Sequence, residues 1–212
     1  MVICCDWEQA MERHVPGVGK SSFDLIDSKE LFERLSIEKG STFVDLGCGL
    51  GQYVIEAALH TGQEGKAYGL DLWEEGLVAL AKEAESRGLS QVRALAVDIC
   101  AMLPLQDRSV DICFVAAVLH DLVREGCVDT TLEEACRILR PNGVLAIVEF
   151  KKFDGHPGPP IDIKLSPDQL EQIVSVHGFT RKEVIEVGPY NYLAVFQPAM
   201  TCSNAPPMEA RH

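Results

Sequence analysis

An α/β fold, in which helices cover both faces of a mostly parallel sheet, is predicted by three observations on this sequence. Short apolar runs alternate with stretches of helical spacing from residue 42 onward, the first run ends in a cluster of glycines, and nothing in the 212 residues marks a second domain. A chain of this length can bury one substantial core.

Strands are expected at residues 42–46, 66–70, 92–97, 110–115 and 143–150, each an apolar run bounded by polar or glycine-containing turns. Helices are expected between them near residues 51–61, 73–87 and 128–139. In the second helix Leu77, Leu80, Ala81 and Ala84 recur at helical spacing, and Glu83 with Arg87 forms an i,i+4 pair on the wet side. In the third, Leu132, Cys136 and Leu139 make the apolar stripe and Pro141 stops the helix. Beyond residue 150 the pattern changes. Residues 154–160 form a loop rich in Pro and Gly, and Ser166 followed by Pro167 reads as an N-cap with proline at the first helical position, opening a helix to about His177. Runs at residues 179–187 and 192–196 are two strands able to pair as a hairpin, and residues 199–212 are expected to be a disordered tail.

Hydrophobic content of 47% with 24% charged residues is that of a soluble globule, with no apolar run long enough for a membrane span and no signal-peptide pattern at the start, so a cytoplasmic protein is expected. The formal net charge of −13 repels polyanions over most of the surface, which argues against nucleic acid as a partner. The eight cysteines, Cys4, Cys5, Cys48, Cys100, Cys113, Cys127, Cys136 and Cys202, include no CxxC pair. They are expected to be buried small hydrophobes rather than disulfides, and no metal site is expected. A sharper alternative gives Cys4, Cys5 and Cys202 a thiophilic ligand, since soft thiolates suit soft centres.

The stretch from Phe43 to Gly51 carries the chemistry. Gly47, Gly49 and Gly51 let the chain turn sharply out of a strand and let a ligand lie against the backbone, and the helix that follows points its unpaired amides at the loop. A dinucleotide fingerprint wants GxGxxG, but Gln52 stands where its third glycine belongs. The carboxylate of Asp45 would repel a pyrophosphate and could face an ammonium group directly or through water.

This loop resembles the first motif of the class I S-adenosylmethionine-dependent methyltransferases, and the resemblance covers residues 24–197. It implies a Rossmann-like, seven-stranded, mostly parallel sheet finished by the C-terminal antiparallel hairpin, with residues 41–198 as the methyltransferase domain and residues 1–40 as a helical cover over the cofactor cleft. It further implies that Asp45, Gly47, Cys48, Gly49 and Val115 line the S-adenosylmethionine site. Asp71 would take the two ribose hydroxyls, with Leu72 against the adenine, Asp98 on the adenine amine and the amide of Ile99 on the ring. Residues 139–145 resemble the LxPGG turn, with Asn142 in place of the first glycine, a change that left-handed backbone tolerates. The overall texture resembles the ubiquinone and menaquinone biosynthesis branch, which implies methyl transfer to a small molecule; transfer to a protein, or cofactor binding without catalysis, are the alternatives.

Ligands in such sheets bind beyond the carboxyl ends of the strands, so bases are sought after strands four and five. His120 is the best placed for catalysis, against a plain packing role at a helix start; His14, His156 and Tyr192 are the candidates for substrate contact, and Tyr190 shares the hairpin turn with Tyr192. Asp111, at the opening of strand four, is at the wrong end of the sheet and reads as structural. Glu149 either faces the cleft or is a solvated charge at a strand end.

Overall fold

Seven strands form one sheet in the computed structural model, which describes residues 21–155 and 157–199. The strands are β1 (Thr42–Leu46), β2 (Lys66–Asp71), β3 (Val92–Ala96), β4 (Val110–Ala116), β5 (Leu139–Phe150), β6 (Phe179–Glu186) and β7 (Asn191–Pro198). Their order across the sheet is β3-β2-β1-β4-β5-β7-β6, parallel throughout except that β7 runs antiparallel to both of its neighbours. The helices are α1 (Ser28–Leu35), α2 (Gln52–Thr61), α3 (Glu74–Ser86), α4 (Leu119–Glu125), α5 (Val128–Ile138) and α6 (Pro167–Ser175). None of the described helices is long and apolar enough to cross a membrane.

β1 lies between β2 and β4 and is buried along its whole length, as a central parallel strand covered on both faces must be. Its side chains alternate between two cores. Val44 and Leu46 join the cluster that includes Leu132 and Ile138 of α5 and Leu170 and Val174 of α6. Phe43 joins the opposite cluster with Phe114 of β4 and Tyr53 and Ala57 of α2. Into this second cluster α1 packs Leu31, Phe32 and Leu35, each such burial contributing roughly 1.5–3 kcal/mol. This part of the N-terminal segment is therefore built into the face of the sheet, not laid over the strand ends as a cover. Asp27 caps it by accepting from the Glu30 amide at 3.0 Å.

Two elements differ from expectation. β5 begins at Leu139, four residues early, because Leu139 pairs with Val110 across a register shift in β4 and Arg140 precedes a proline, which biases it to extended backbone. The turn motif is thus folded into the strand. α4 was expected only as a possible helix start at His120, with no span: no side chain caps its start, and its stop signal, Gly126 with φ 74°, is legible only once the helix is known. Asp111 accepts from the Thr42 amide at 2.8 Å and pairs with Arg140, which makes it a tie between strand beginnings, as read.

The long connection from β3 to β4 is held by one guanidinium. Arg137 of α5 donates to the carbonyls of Leu105 (2.8 Å) and Leu103 (3.0 Å) and to the carboxylates of Asp107 and Glu134, while Glu134 also accepts from the Leu103 amide at 2.7 Å. Those carboxylates hold the guanidinium charged against the cost of its burial. Arg137→Met should lower stability by about 1–3 kcal/mol in urea unfolding and speed amide exchange across residues 100–107, because two carbonyls and a buried Glu134 lose their donor.

Candidate active site

The glycine turn that leaves β1 is fixed by its own backbone. Gly47, Gly49 and Gly51 all have positive φ (79°, 54° and 75°). The amides of Gly47 and Cys48 both donate to the Leu70 carbonyl at 2.8 and 3.1 Å, and the Gly51 amide donates to the Cys48 carbonyl at 2.8 Å. A Cβ on Gly51 would sit 2.5 Å from Leu80 of α3, so this glycine packs helix against loop, the task that the third glycine of a dinucleotide motif performs one residue later. A Cβ on Gly47 would sit 2.9 Å from Val118, which ties the turn to the start of α4. At Gly49 a Cβ would meet no described atom within 4 Å, so here the backbone is open to an approaching ligand.

Asp71, the last residue of β2, grips this turn. One carboxylate oxygen accepts from the Gly49 amide and the other from the Trp73 amide, each at 2.8 Å. Each oxygen keeps a further acceptor direction, which suits a diol. Leu72 beside it is 41% exposed, an accessible apolar surface next to the carboxylate. Asp98 accepts from the Cys100 amide at 2.9 Å in a tight turn, and the carbonyl of Ile99 accepts from Thr131 of α5 at 2.9 Å. Val115 is a core residue, its side chain buried with Leu70 and Leu119. Cys48 is likewise packed: its sulfur lies 2.8 Å from where a Cβ on Gly69 would stand, and burial, then the charges of Asp45 and Asp71, push its thiol far up.

Asp45 is the anomaly of the site. It is 1% exposed on β1, and neither carboxylate oxygen meets a hydrogen-bond donor among the described residues. Burial pushes its carboxyl well above the usual range, and the charge of Asp71 adds to this. A buried acid without a donor at the foot of an open glycine turn is a poor stabiliser and a good receptor for a cationic group.

At the ends of β4 and β5 a second constellation forms. His120 Nδ1 lies 3.0 and 2.9 Å from the two oxygens of Glu149, and Glu149 also accepts from the His120 amide at 3.1 Å. Glu149 is fully buried, so the solvated alternative for this residue is overturned. The other ring nitrogen is 3.5 Å from Asp121, which pairs with Arg124. Burial alone would lower the pKa of His120, but the Glu149 hydrogen bond and the charges of Glu149 and Asp121 outweigh it and raise the value. The Asp121 carboxyl is raised by burial, against the lowering charges of His120 and Arg124. Preceding them, Ala117 adopts φ 56° with its amide on the Val148 carbonyl, a left-handed bend in a non-glycine residue that turns the chain from β4 toward His120. No local sequence signal marks Ala117. Glu149 did carry one, as the single charge in the apolar run from Val144 to Phe150.

The loop after β5 covers this end of the sheet. Gly158 packs on the ring of Phe150, whose ring also meets that of His120 edge-on at 6.4 Å. Lys164 is 1% exposed, and its ammonium donates to the carbonyls of Phe153 and Gly155 at 3.0 and 3.1 Å while lying 4.8 Å from the Phe153 ring centre. Tyr192 does not line an open wall: it is 2% exposed and its hydroxyl donates to the Leu165 carbonyl at 2.8 Å, anchoring the end of this loop. Tyr190 packs its ring against Phe153. His14 and His156 lie outside the described residues, as do Cys4, Cys5 and Cys202. The expectation of unbridged cysteines holds for Cys48 and Cys113 and fails for Cys100 and Cys127, which form a disulfide.

A mostly parallel sheet in this strand order, with an acid-flanked glycine turn after β1 and a second acid ending β2, goes with a family match: the model of the methyltransferase domain family matches residues 37–180. The chain belongs to that family. Among its relatives, the demethylmenaquinone methyltransferase of Geobacillus stearothermophilus is 30% identical over 57% of this chain and 50% of its own length. That of Lactobacillus johnsonii is 28% identical over 78% of this chain and 64% of its own. The chain thus spans half to two thirds of the length of these curated relatives. A solved SAM-dependent methyltransferase from Aquifex aeolicus superposes with a TM-score of 0.76 at 28% identity, covering 86% of this chain and 95% of that one. The likeness to the menaquinone branch is borne out by these names.

The raised Asp45 carboxyl favours the protonated folded state, so its contribution to stability is present in full below about pH 4 and is lost as pH rises through the raised value. Asp45→Asn should therefore exceed the wild type in stability at pH 7, an advantage that shrinks toward pH 4 in urea unfolding. For His120 the raised value means stabilisation below about pH 6.5 that is lost as pH rises through the folded pKa. Glu149→Gln should lower the proton affinity of His120, seen as a downward shift of the imidazole titration by NMR.

Proposed function

We propose that this protein transfers the methyl group of S-adenosylmethionine to a small-molecule acceptor, with His120 as the proton acceptor. The observation that carries the donor half is the Asp45 carboxylate, buried without a hydrogen-bond donor among the described residues beneath an open glycine turn. When bound, S-adenosylmethionine supplies an electrophilic methyl on a sulfonium and departs as a thioether. Asp45 would hold its ammonium group, the open backbone at Gly49 would leave room for it, and Asp71 would accept from the ribose hydroxyls while keeping the Gly49 amide. Leu72, Asp98 and the amide of Ile99 would hold the adenine. In-line alignment of the two reactants can supply roughly 7–11 kcal/mol of the barrier in favourable cases, so the chain's first task is positioning.

His120 supplies the second task. Nδ1–H donated to Glu149 leaves Nε2 to take a proton from an acceptor hydroxyl or an activated carbon, and Glu149 then stabilises the imidazolium. Glu149 is a positioning residue here, because it acts through the imidazole. A small acceptor is supported by the net charge of −13, which disfavours polyanions, and by relatives named for a quinone-precursor substrate.

Calorimetric titration with S-adenosylmethionine, S-adenosylhomocysteine and NAD tests the donor half. Micromolar binding of the two adenosyl ligands and none of NAD is expected, with Asp71→Ala weakening both by roughly 100-fold, about 2.7 kcal/mol. Binding of NAD in their place, or no binding at all, would overturn the reading.

A further inference from the structure

Outside the donor and acceptor sites, the side chains of Cys100, Glu125 and Cys127 converge. Their two sulfurs and one carboxylate oxygen all lie within 4.8 Å of one another. The residues come from two places in the fold: Cys100 follows the Asp98 turn after β3, while Glu125, ending α4, and Cys127, at the N-cap of α5, flank Gly126 in one connection. Both cysteines are half-buried against the core, and Glu125 is exposed on the solvent side of the pair. The structure holds the two sulfurs as a disulfide across Cα atoms 5.4 Å apart.

We propose that the reduced form of this pair, with Glu125, binds a single thiophilic divalent cation of the zinc class, and that formation of the disulfide excludes it. Two thiolates and a carboxylate are three of the four ligands of a tetrahedral zinc site, and the exposed side leaves the fourth position to water. Ligand bonds of about 2.3 Å to sulfur place two thiolates roughly 3.7 Å apart in such a site, within the 4.8 Å cluster. The two states exclude each other because the same sulfur electron pairs either form the S–S bond or bind metal. Reduction by a trialkylphosphine and one water gives two thiols and the phosphine oxide, and the cation then displaces the two thiol protons. The bound ion would fix the turn that carries Asp98 to the junction between α4, which carries His120, and α5.

The test is a zinc titration of the full chain against a chromophoric chelator, after phosphine reduction and again after oxidation to the disulfide. Reduced wild type should take up one more equivalent than the oxidised chain. Cys100→Ser and Cys127→Ser should each lose that equivalent, and Glu125→Gln should weaken it about tenfold. Cobalt(II) in place of zinc should show a thiolate-to-metal charge-transfer band that both serine variants lack. Equal uptake by reduced and oxidised wild type overturns the proposal without any variant. Extra uptake that survives Cys100→Ser, Cys127→Ser and Glu125→Gln places the metal on other thiols and overturns it equally.

Discussion

The Leu70 carbonyl and the Asp71 carboxylate at the end of β2 together take three consecutive amides of the turn leaving β1, those of Gly47, Cys48 and Gly49. This seam sets where everything else at the carboxyl edge can stand. Because the turn is held so close to β2, no side chain fits between Gly51 and Leu80 or between Gly47 and Val118, and α2, α3 and the start of α4 are drawn against one short stretch of backbone. Glycine at those places is a steric demand of the packing as well as an invitation to a ligand. Asp71 has two duties as a result: it holds the turn that shapes the site, and it offers acceptors to whatever lies in that site.

Charge is distributed across the site with a consistent logic. Two carboxylates, Asp45 on β1 and Glu149 on β5, are buried in the same sheet with β4 between them, yet their surroundings differ. Glu149 has an imidazole and two backbone amides as donors, so its charge is compensated inside the protein. Asp45 meets neither among the described residues, and burial works against its charge. The cost of an uncompensated buried acid is tolerated because cooperative burial of the cores on both faces of the sheet holds β1 in place regardless.

Much of this was legible in the residues. β1 was read with its observed bounds, since a fully buried parallel strand is a continuous apolar run and its glycine exit is unmistakable. Asp71, Leu72 and Asp98 could be placed at strand ends because strand ends were themselves visible. The span of α4 and the Ala117 bend were not, because a seven-residue helix without a side-chain cap and a single left-handed alanine are imposed by packing on Gly47 and β5, not by local preference. The contact between Cys100 and Cys127 was hidden for a related reason: a separation of 27 residues across two loops carries no periodicity. Tyr192 misled because a hairpin aromatic near a turn looks accessible, whereas β7 is an interior strand between β5 and β6.

The buried ammonium of Lys164 closes the loop after β5 onto itself, joining residue 164 to the carbonyls of Phe153 and Gly155 while Tyr192 secures the next residue, Leu165. The base of this loop is thereby closed by anchors that face inward, Gly158 packs on Phe150, and Pro160, Ile161 and Asp162 form an exposed rim. Length and composition along that rim can change at little entropic cost, since closure depends on the anchors and only weakly on the span they enclose. The molecule is thus modular at its edge: a rigid seam on one side, and on the other a replaceable rim through which a single scaffold can be refitted to a different partner without disturbing β1, β2 or the turn between them.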